Sequence, residues 1–524
     1  MTRVAVIGGG HNGLVCACYL ANAGLDVTVF EANPAAGGCI WTEQLPSGHR
    51  IERGAIDHGP ILSVAEELEL SRFGLEYVFR DVTAGAAFGD GTSLLFHREL
   101  ETTLEGFAGL EQSDLAGYRT LAEVGSGLLA ILDGLSTGPS LADIARLGPI
   151  GGIDPMRLVL GSSEKLVGNY IVDRHLAAAL TMYGSFSQLP PWLPGTGLFG
   201  LLLAGSHGHG PGRPIGGSGQ LIHALAKSLE AAGGSLRTGE GVLSIEGSRT
   251  PVAIRTSANG NHRFDIVVST LDIARTSRLV VSGLPALEVG ARAATSGSLN
   301  VAEFKVDLAL SAPATPGRFG PAEAIWMLQP GPGAMARSFG EIAAGLIPSE
   351  PSILWASPSA LDPSGAPPGG GTAWMSTFVP ARVHGGDWTE AALMATAERV
   401  LDSFASITGD DVRDRTVDMR VTGPQAWERR TGAVSGNPNH IDMTLDQMFS
   451  LRPPTAQGYR TEAPWLYLSG AGTFPGGGLS GMPGKNAAMT LLGDLGRGRS
   501  GRSLLSGLSA ARRGWRLYRT LRRR

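Results

Sequence analysis

Apolar residues follow one another without interruption near the start of the chain, which is typical of a strand buried on both faces of a sheet. The run covers residues 4–7, and three of its four side chains are β-branched. Apolar residues then recur at helical spacing over residues 12–23, and a second strand pattern covers residues 26–31. A strand, a helix and a strand within about 30 residues make one βαβ unit. We therefore predict an α/β fold that begins with a Rossmann-type unit.

Further strands and helices alternate along the rest of the chain. Residues 220–232 predict a helix that ends at two glycines. Strand patterns follow at 242–245, 251–256, 265–269 and 465–469. The last of these runs into a glycine-rich turn over 470–484 and then a helix. The stretch 85–204 has largely helical spacing, whereas 295–420 mixes strands with loops rich in proline and glycine. This pattern predicts more than one domain.

A glycine fingerprint lies between the first strand and the first helix. Gly8 ends the strand, Gly10 lacks a side chain where a diphosphate would approach, and Gly13 allows close packing of the helix. The helix N-terminus offers free N–H groups to the phosphates. Glu31 ends the second strand, where a carboxylate can accept hydrogen bonds from an adenosine ribose and would repel a phosphorylated one. The sequence therefore predicts a dinucleotide site.

The chain has one credible dinucleotide unit. Gly195, Gly197 and Gly200 repeat the spacing of the fingerprint, but a proline-rich stretch precedes them in place of a strand, so we predict a loop there. Cys16 and Cys18 lie two residues apart on the first helix and point to different sides, which argues against a dithiol relay. We expect neither a separate nicotinamide-binding domain nor a redox-active cysteine pair.

Composition narrows the class of protein. Of 524 residues, 43% are hydrophobic and 17% are charged, and the net charge is −4, so neither disorder nor a nucleic-acid partner is favoured. The three cysteines all lie in the first 40 residues and fit a reducing, cytoplasmic setting, not a disulfide framework or a metal site. The first strand begins directly after three residues, so we expect no secretory leader. No oligomeric state is indicated.

Several motifs together resemble the phytoene desaturase-like flavoproteins, and within them the branch that includes pyridine nucleotide-disulphide oxidoreductase domain-containing protein 2. The motifs are residues 4–17, Glu31, Gly37 and Gly38 followed by Thr42, and the stretches 214–221, 441–450 and 468–484. The resemblance covers both ends and the middle of the chain. It implies FAD as cofactor and an oxidoreductase activity.

The same resemblance implies how the domains are assembled. The expected architecture is a Rossmann-type, glutathione-reductase-like FAD-binding domain with a mixed α+β substrate domain. We assign residues 1–84, 205–290 and 421–500 to the FAD-binding domain, 85–204 and 291–420 to the substrate domain, and 501–524 to a basic tail. The cofactor-binding residues implied are Gly8, Gly10, His11, Asn12, Gly13, Glu31, Ala32, Gly37, Gly38, Thr42, Val242, Gly470, Ala471, Gly478, Gly481, Met482 and Pro483.

The family fixes the cofactor better than the reaction. We expect an enzyme that removes a hydride from an apolar small molecule, isoprenoid or polyketide-like. An amine-oxidase-like enzyme, a redox-neutral isomerase and a non-catalytic FAD-stabilised partner-binding protein stay open as alternatives. No catalytic residue stands out. Asp57 is a weak candidate for a proton acceptor, and the helix expected to begin near Pro483 or Gly484 can stabilise negative charge on a reduced ring. The histidines show no metal-ligand spacing.

The C-terminal tail is basic and interleaved with aromatic residues. Arginines alternate with Trp515, Leu517, Tyr518 and Leu521 over residues 512–524. This pattern predicts an amphipathic anchor for anionic lipid and hence peripheral membrane contact of a cytoplasmic protein. A solvated tail without a lipid partner stays open.

Overall fold

The computed structural model describes residues 1–208, 210–455 and 458–496, and two large β-sheets dominate it. The strands, in chain order, are β1 (Arg3–Ile7), β2 (Asp26–Phe30), β3 (Thr42–Gln44), β4 (Arg50–Glu52), β5 (Tyr77–Val78), β6 (Val82–Phe88), β7 (Ser93–His97), β8 (Arg213–Pro214), β9 (Ser235–Arg237), β10 (Val242–Glu246), β11 (Val252–Thr256), β12 (Asn261–Phe264), β13 (Ile266–Ser269), β14 (Ala302–Leu310), β15 (Ile325–Gln329), β16 (Ile353–Ala356), β17 (Gly371–Val379), β18 (Thr416–Thr422) and β19 (Leu466–Leu468). The α-helices are α1 (His11–Asn22), α2 (Leu62–Glu67), α3 (Leu100–Gly106), α4 (Gln112–Asp133), α5 (Leu141–Ala145), α6 (Pro155–Leu160), α7 (Ser163–Gly168), α8 (Arg174–Gly184), α9 (Gly219–Ala231), α10 (Ile273–Leu279), α11 (Pro285–Thr295), α12 (Ala334–Ala343), α13 (Pro358–Leu361), α14 (Glu390–Thr408), α15 (Pro424–Thr431) and α16 (Met482–Asp494).

The first sheet has five parallel strands in the order β19-β13-β1-β2-β9. Its central strand pairs Val4 with Val27 of β2 on one side and with Ile266 of β13 on the other. The strands come from the beginning, the middle and the end of the chain, so three separated segments build one sheet. α1, α9 and α16 cover the face that carries Val4 and Val6. The predicted Rossmann-type unit is confirmed.

A small antiparallel sheet covers the opposite face of β1. It has the order β10-β11-β12, and its apolar side chains share a core with Ala5 and Ile7. Of the three strand patterns predicted in this region, the first two form β10 and β11 of this small sheet, and the third, β13, joins the parallel sheet. β12 is not predicted from the sequence, because only Phe264 of its four residues is apolar. The sheet therefore needs tertiary pairing to complete it.

The second large sheet is mixed and has seven strands in the order β18-β14-β17-β16-β15-β6-β7. β14 and β17 pair antiparallel over nine residues each, and β6 pairs parallel with β15. Helices α3, α4 and α8 pack over one part of it, and α14 packs over another. β6 extends across residue 84, the predicted boundary of the first FAD-binding segment, and belongs wholly to this sheet. The helical stretch predicted from residue 85 thus begins with strands.

The two sheets meet at the hairpin of β3 and β4. Lys305 of β14 donates a hydrogen bond of 2.7 Å from Nζ to the carbonyl of Glu52, and Trp374 of β17 donates one of 2.8 Å from Nε1 to the carbonyl of Gly54. Arg53 lies 3.4 Å from the carboxylate of Asp307. These hydrogen bonds and this ion pair therefore hold β14 and β17 of the second sheet against residues 52–54, at the end of β4.

No helix within the described ranges has both the length and the hydropathy needed to cross a bilayer. The basic tail, residues 501–524, lies outside the described residues, so its predicted contact with lipid stays a prediction.

Candidate active site

The turn between β1 and α1 leaves space above the helix N-terminus. A side chain on Gly13 would place its Cβ 2.0 Å from the carbonyl oxygen of Gly8, and Gly8 itself has a φ of +104°. Gly10 is different, because the nearest atom to a Cβ there is 3.9 Å away. No side chain caps α1. Its first N–H groups therefore face an open space that suits a diphosphate.

Glu31 holds this turn in place. Its Oε2 accepts a hydrogen bond of 2.8 Å from the backbone N of Gly9, and its Oε1 accepts bonds from the backbone N and the Nδ2 of Asn33, at 2.8 and 2.6 Å. One lone pair of Oε2 remains for a ribose hydroxyl. Ala32 lies beside Gly241, which precedes Val242, so both predicted residues occupy the same edge of the site. Their contact with adenosine stays a prediction.

The second glycine motif, Gly37 and Gly38, lies directly against the turn between β1 and α1. Gly37 donates a hydrogen bond of 2.9 Å from its backbone N to the carbonyl of Gly9, and a Cβ on Gly38 would stand 3.3 Å from the Cα of Gly10. Thr42 has other partners: its hydroxyl donates to Glu52 at 3.0 Å and accepts from the backbone N of Gly219 at 2.9 Å. Its side chain therefore joins β3 to the start of α9.

The C-terminal glycine-rich turn closes over the N-terminus of α1. A Cβ on Gly484 would stand 2.1 Å from the carbonyl oxygen of Asn12, and the backbone of Gly478 lies close enough to His11 to raise its pKa in opposition to burial. Gly478 is exposed, with no described atom near its missing side chain. Gly481 is different, because a Cβ there would lie 2.5 Å from the Cδ1 of Ile61. Gly478 is therefore the open glycine, and Gly481 is needed for packing.

The helix α16 begins immediately after this turn, with Met482 and Pro483 in its first turn. Gly481 precedes it with a φ of +67° and provides no side-chain cap. The backbone N of Met482 donates a long hydrogen bond, of 3.3 Å, to the hydroxyl of Ser480. The positive end of α16 thus lies beside the turn where the flavin ring is expected.

Arg452 organises the loop that supports this turn, and the sequence patterns did not identify it. It is almost fully buried, and burial lowers its pKa to about 9. Its guanidinium donates to five backbone carbonyls, those of Asn439, Ile441, Asp442, Gln447 and Ala471. Gly470 lies beside the end of β13, where a Cβ would stand 2.4 Å from the carbonyl oxygen of Thr270. The predicted residues Gly470 and Ala471 are therefore held through their backbone.

Three neutral histidines surround the space between the turns. Burial is the main cause that lowers the pKa of His11 to about 4, of His440 to about 4 and of His58 to about 3. His440 further lowers the pKa of His11, and His11 further lowers that of His58. One ring nitrogen of each lacks a hydrogen-bond partner within the described ranges, as does the Oδ1 of Asn12. These atoms fit a cofactor with polar ring edges, because bound flavin would give them partners.

Asp57, which precedes His58 in the chain, forms an ion pair with Arg80. Its Oδ2 lies 2.5 Å from Nη2 of the buried Arg80, while its Oδ1 has no partner among the residues described. Tyr183 lies close to Asp57. Burial is the main cause that raises the pKa of Tyr183 to about 12, and the charge of Asp57 raises it further. The structure thus gives Asp57 an electrostatic partner, and a catalytic role for it stays a prediction.

Glu303 is a further candidate that sequence reasoning missed. It lies on β14, accepts a hydrogen bond of 2.7 Å from the hydroxyl of Ser376, and has its pKa raised by burial. It also contributes, after burial, to raising the pKa of Cys39, which directly follows the second glycine pair. The signal is visible in the sequence, since Glu303, Lys305 and Asp307 alternate along an otherwise apolar strand. This face of β14 points toward the site.

A row of aromatic rings leads away from Asp57. Ring centroids are 6.4 Å apart for Tyr183 and Phe186, 5.4 Å for Phe186 and Phe378, and 5.6 Å for Phe378 and Phe339. Trp192 continues the row and is 41% exposed. Tyr183 and Phe186 are partly exposed and offer apolar surface, whereas Phe378 and Phe339 are buried in the core. No cluster of metal-ligating side chains occurs in the described part of the chain.

Comparison with known proteins agrees with this geometry. A sequence profile of the family described as flavin containing amine oxidoreductase matches residues 13–315. Pyridine nucleotide-disulfide oxidoreductase domain-containing protein 2 of Rattus norvegicus is 26% identical over 94% of this chain and 93% of its own. Phytoene dehydrogenase of Streptomyces griseus is 27% identical over 91% and 92%, and one subunit of the limonene dehydrogenase of Castellaniella defragrans is 26% identical over 94% and 95%.

Solved structures share the fold. A variant of putrescine oxidase superposes with a TM-score of 0.63 at 15% identity, over 94% of this chain and 99% of that one. An oxidoreductase from Methanosarcina mazei gives a TM-score of 0.59 at 18% identity, over 94% and 99%. The expected fold class, the resemblance to phytoene desaturase-like flavoproteins and the FAD cofactor are confirmed. The chain belongs to the family of flavin-containing amine oxidoreductases and is an FAD-dependent oxidoreductase.

Proposed function

We propose that this protein dehydrogenates an apolar small molecule, isoprenoid or polyketide-like, by removing two hydrogens. Bound FAD supplies the two-electron acceptor for that reaction. The observation that carries the proposal is the internal pairing of charges where the two sheets meet. Asp57 is paired with Arg80, and Asp307 with Lys305 at 2.8 Å. Because these charged groups neutralise one another, they do not supply a counter-ion for a charged substrate. The site is therefore better suited to an uncharged substrate.

The uncharged groups of the site support the same proposal. The three histidines are neutral at physiological pH, because the pKa of each is well below the usual value of 6.5. Burial also raises the pKa of Glu303, which favours its neutral form. Tyr183 and Phe186, which are partly exposed, provide apolar surface against which a hydrocarbon can pack.

Two of the similar proteins favour a hydrocarbon substrate. They are named for phytoene and for limonene, and each aligns over more than nine-tenths of this chain. The alignments extend through the substrate domain and are not confined to the nucleotide-binding motifs. We therefore place an isoprenoid first among the candidate substrates.

An amine substrate is the second candidate. Putrescine oxidase and cyclohexylamine oxidase share the fold, although at 15% identity each. An alkylammonium group would need a negatively charged partner, or several aromatic faces, to replace its hydration. Glu303 is the carboxyl group best placed for this, but its raised pKa works against it. The amine reaction is therefore less favoured than the hydrocarbon reaction.

The residues of the chain act in this proposal by position and electrostatics. The N-terminus of α16 would lie beside the ring of bound flavin and would stabilise negative charge there. His11 and His440 keep the region uncharged, and their imidazole nitrogens that have no partner among the described residues would form hydrogen bonds with bound flavin. Because a histidine of pKa about 4 is a poor base near neutrality, the proton released by the substrate passes to water or to Asp57.

The test is a substrate search with the purified full-length protein under anaerobic conditions. An extract of the source organism, acyclic and cyclic terpenes, and a panel of alkylamines are mixed separately with the protein. Absorbance of the flavin in the visible range and the product masses are then recorded. We expect terpenes or an apolar fraction of the extract to bleach the flavin and yield a product lighter by two hydrogens.

Other results would contradict the proposal in different ways. Bleaching by amines alone would assign the protein to the amine oxidases. An isomeric product formed without bleaching would indicate a redox-neutral isomerase. Bound FAD that is bleached by none of these mixtures, together with capture of a protein partner, would favour the non-catalytic alternative.

A further inference from the structure

Arg430 is a basic residue whose charge has no acidic hydrogen-bond partner among the described residues. It lies near the end of α15, and its Nε and Nη2 are buried without a hydrogen-bond partner in that part of the chain. Its backbone carbonyl accepts a hydrogen bond of 3.1 Å from the Nδ2 of Asn33. That bond joins α15 to the loop after Glu31, which forms one wall of the nucleotide site. Arg430 therefore approaches the site from the third chain segment.

The surroundings of Arg430 hold it in place but do not neutralise it. Its guanidinium carbon lies 4.6 Å from the ring centroid of Trp41, and that of Arg53 lies 4.8 Å from the same ring. Arg53 has acidic partners, since Glu43 lies 2.6 Å from it and Asp307 3.4 Å. The two guanidinium groups thus share one indole, and within the described ranges only Arg53 is paired with an acid.

The nearest acidic group is already engaged. Burial lowers the pKa of Arg430, and Glu31 opposes this by attracting the guanidinium through space. Both oxygens of Glu31 accept hydrogen bonds from Gly9 or Asn33. Arg430 is half-buried, and its two buried donors without a hydrogen-bond partner among the described residues are costly unless an anion binds to them. We therefore expect an anion to bind the guanidinium of Arg430.

The stretch that carries the two glycine motifs supplies no cation for a diphosphate. Between Arg3 and Arg50 the sequence contains neither lysine nor arginine, although this stretch holds the fingerprint and the second glycine pair. The backbone N–H groups of α1 can bind one side of a diphosphate, but they bring only partial charges. A full positive charge has to come from another part of the chain.

We propose that Arg430 binds the diphosphate of FAD, donating from Nε and Nη2 to its oxygens while Trp41 fixes the plane of the guanidinium. The diphosphate is the anionic part of FAD, and its place is where the loop after Glu31 and the glycine pair before Cys39 converge on α1. Paired donors in one plane match two phosphate oxygens. Arg430 is thus a cofactor-binding residue contributed by α15.

The experiment compares two adjacent arginines in the full-length protein. R430Q removes the buried charge, and R429Q removes an exposed one from the same turn of α15. The dissociation constant of FAD is measured by flavin fluorescence after partial removal of the cofactor. We expect R430Q to weaken FAD by about tenfold to a hundredfold, and R429Q to leave it within about twofold. An R430Q constant equal to that of R429Q would overturn the proposal.

Competition separates a phosphate contact from a purely structural role. ADP and adenosine are each used to slow the rebinding of FAD, and the ratio of their inhibition constants is compared between R430Q and R429Q. ADP carries the diphosphate and adenosine does not, so R430Q should lose its preference for ADP while R429Q retains it. This ratio does not depend on the fraction of folded protein. An equal loss of affinity for ADP and for adenosine, with the preference for ADP unchanged, would show that Arg430 only supports the fold.

Discussion

The carboxylate of Glu31 accepts a hydrogen bond of 2.8 Å from the backbone N of Gly9, across the turn that joins β1 to α1. An acidic side chain at this position is expected to bind ribose, but here it also fastens the glycine turn to the end of β2. Its role in cofactor binding is therefore partly exerted through the turn. To separate ribose binding from support of the turn, a variant must change the number of internal hydrogen bonds and keep the carboxylate of Glu31.

Replacing Glu31 should weaken FAD binding. Glu31→Ala removes the ribose acceptor and three internal hydrogen bonds, and we expect about a tenfold to hundredfold higher dissociation constant for FAD together with a lower melting temperature. Asn33→Ala is the control, because it removes two side-chain hydrogen bonds, to Glu31 and to the backbone carbonyl of Arg430, and keeps the carboxylate. Fluorescence titration with FAD measures both. An affinity in Glu31→Ala that matches Asn33→Ala would mean that the carboxylate does not bind ribose.

Gly10 and Gly13 should respond differently to the same small change. An alanine at position 10 meets no described atom closer than 3.9 Å and keeps an ordinary φ of −71°, so Gly10→Ala should fold and yet obstruct the diphosphate. At position 13 the new Cβ would stand 2.0 Å from the carbonyl oxygen of Gly8, so Gly13→Ala should lower the melting temperature even without FAD. Flavin content and thermal unfolding measure the two effects. Full flavin content in Gly10→Ala would contradict the assignment of the diphosphate site.

Asp57 should matter more for stability than for proton transfer. Asp57→Asn leaves the buried Arg80 without its counter-ion, which we expect to cost roughly 1–3 kcal/mol of unfolding free energy, less than for a fully buried pair because Asp57 is 23% exposed. Flavin reduction by the true substrate should slow by less than about a hundredfold. Urea unfolding and anaerobic stopped-flow measure these quantities. A larger loss of rate at unchanged stability would instead identify Asp57 as a general base.

Acid should destabilise the protein through its neutral histidines. His58 is fully buried with a pKa of about 3, against 6.5 in the unfolded chain, so the unfolded state binds a proton first as the pH falls. The contribution of neutral His58 to the free energy of unfolding is fully present above pH 6.5 and is lost as the pH falls toward 3. The loss has an upper bound on the order of 5 kcal/mol. His58→Gln should flatten the dependence of stability on pH over this window. Parallel curves for the variant and the wild type would contradict the prediction.

The local parts of the site follow from the sequence, and the long-range parts do not. The turn from Gly8 to Gly13 and the acid at Glu31 are recognisable because their spacing lies within one βαβ unit. Arg452 and Arg430 lie about 400 residues or more away along the chain, and isolated arginines carry no periodic signal. Their function depends on which backbone and ring they meet after folding, so only the tertiary structure shows it.

The same reasoning applies to strands. β1, β2 and β13 are rich in apolar, mostly buried residues and stand out in the sequence. β12 is mostly polar, and β6 begins inside a segment assigned from motifs to the other domain. A strand's own residues indicate that it is buried, but they do not indicate which sheet it joins. Register and sheet membership come from pairing partners distant in the chain.

The parallel sheet is completed by β19, whose residues 466–468 pair with β13 near the end of the described chain. During synthesis, a nascent chain has made β1, β2 and the glycine fingerprint long before it makes this strand or the turn that covers α1. We therefore expect FAD to be captured only after β19 and the turn before α16 have been synthesised, and C-terminal truncation before residue 466 to leave a chain that cannot retain flavin.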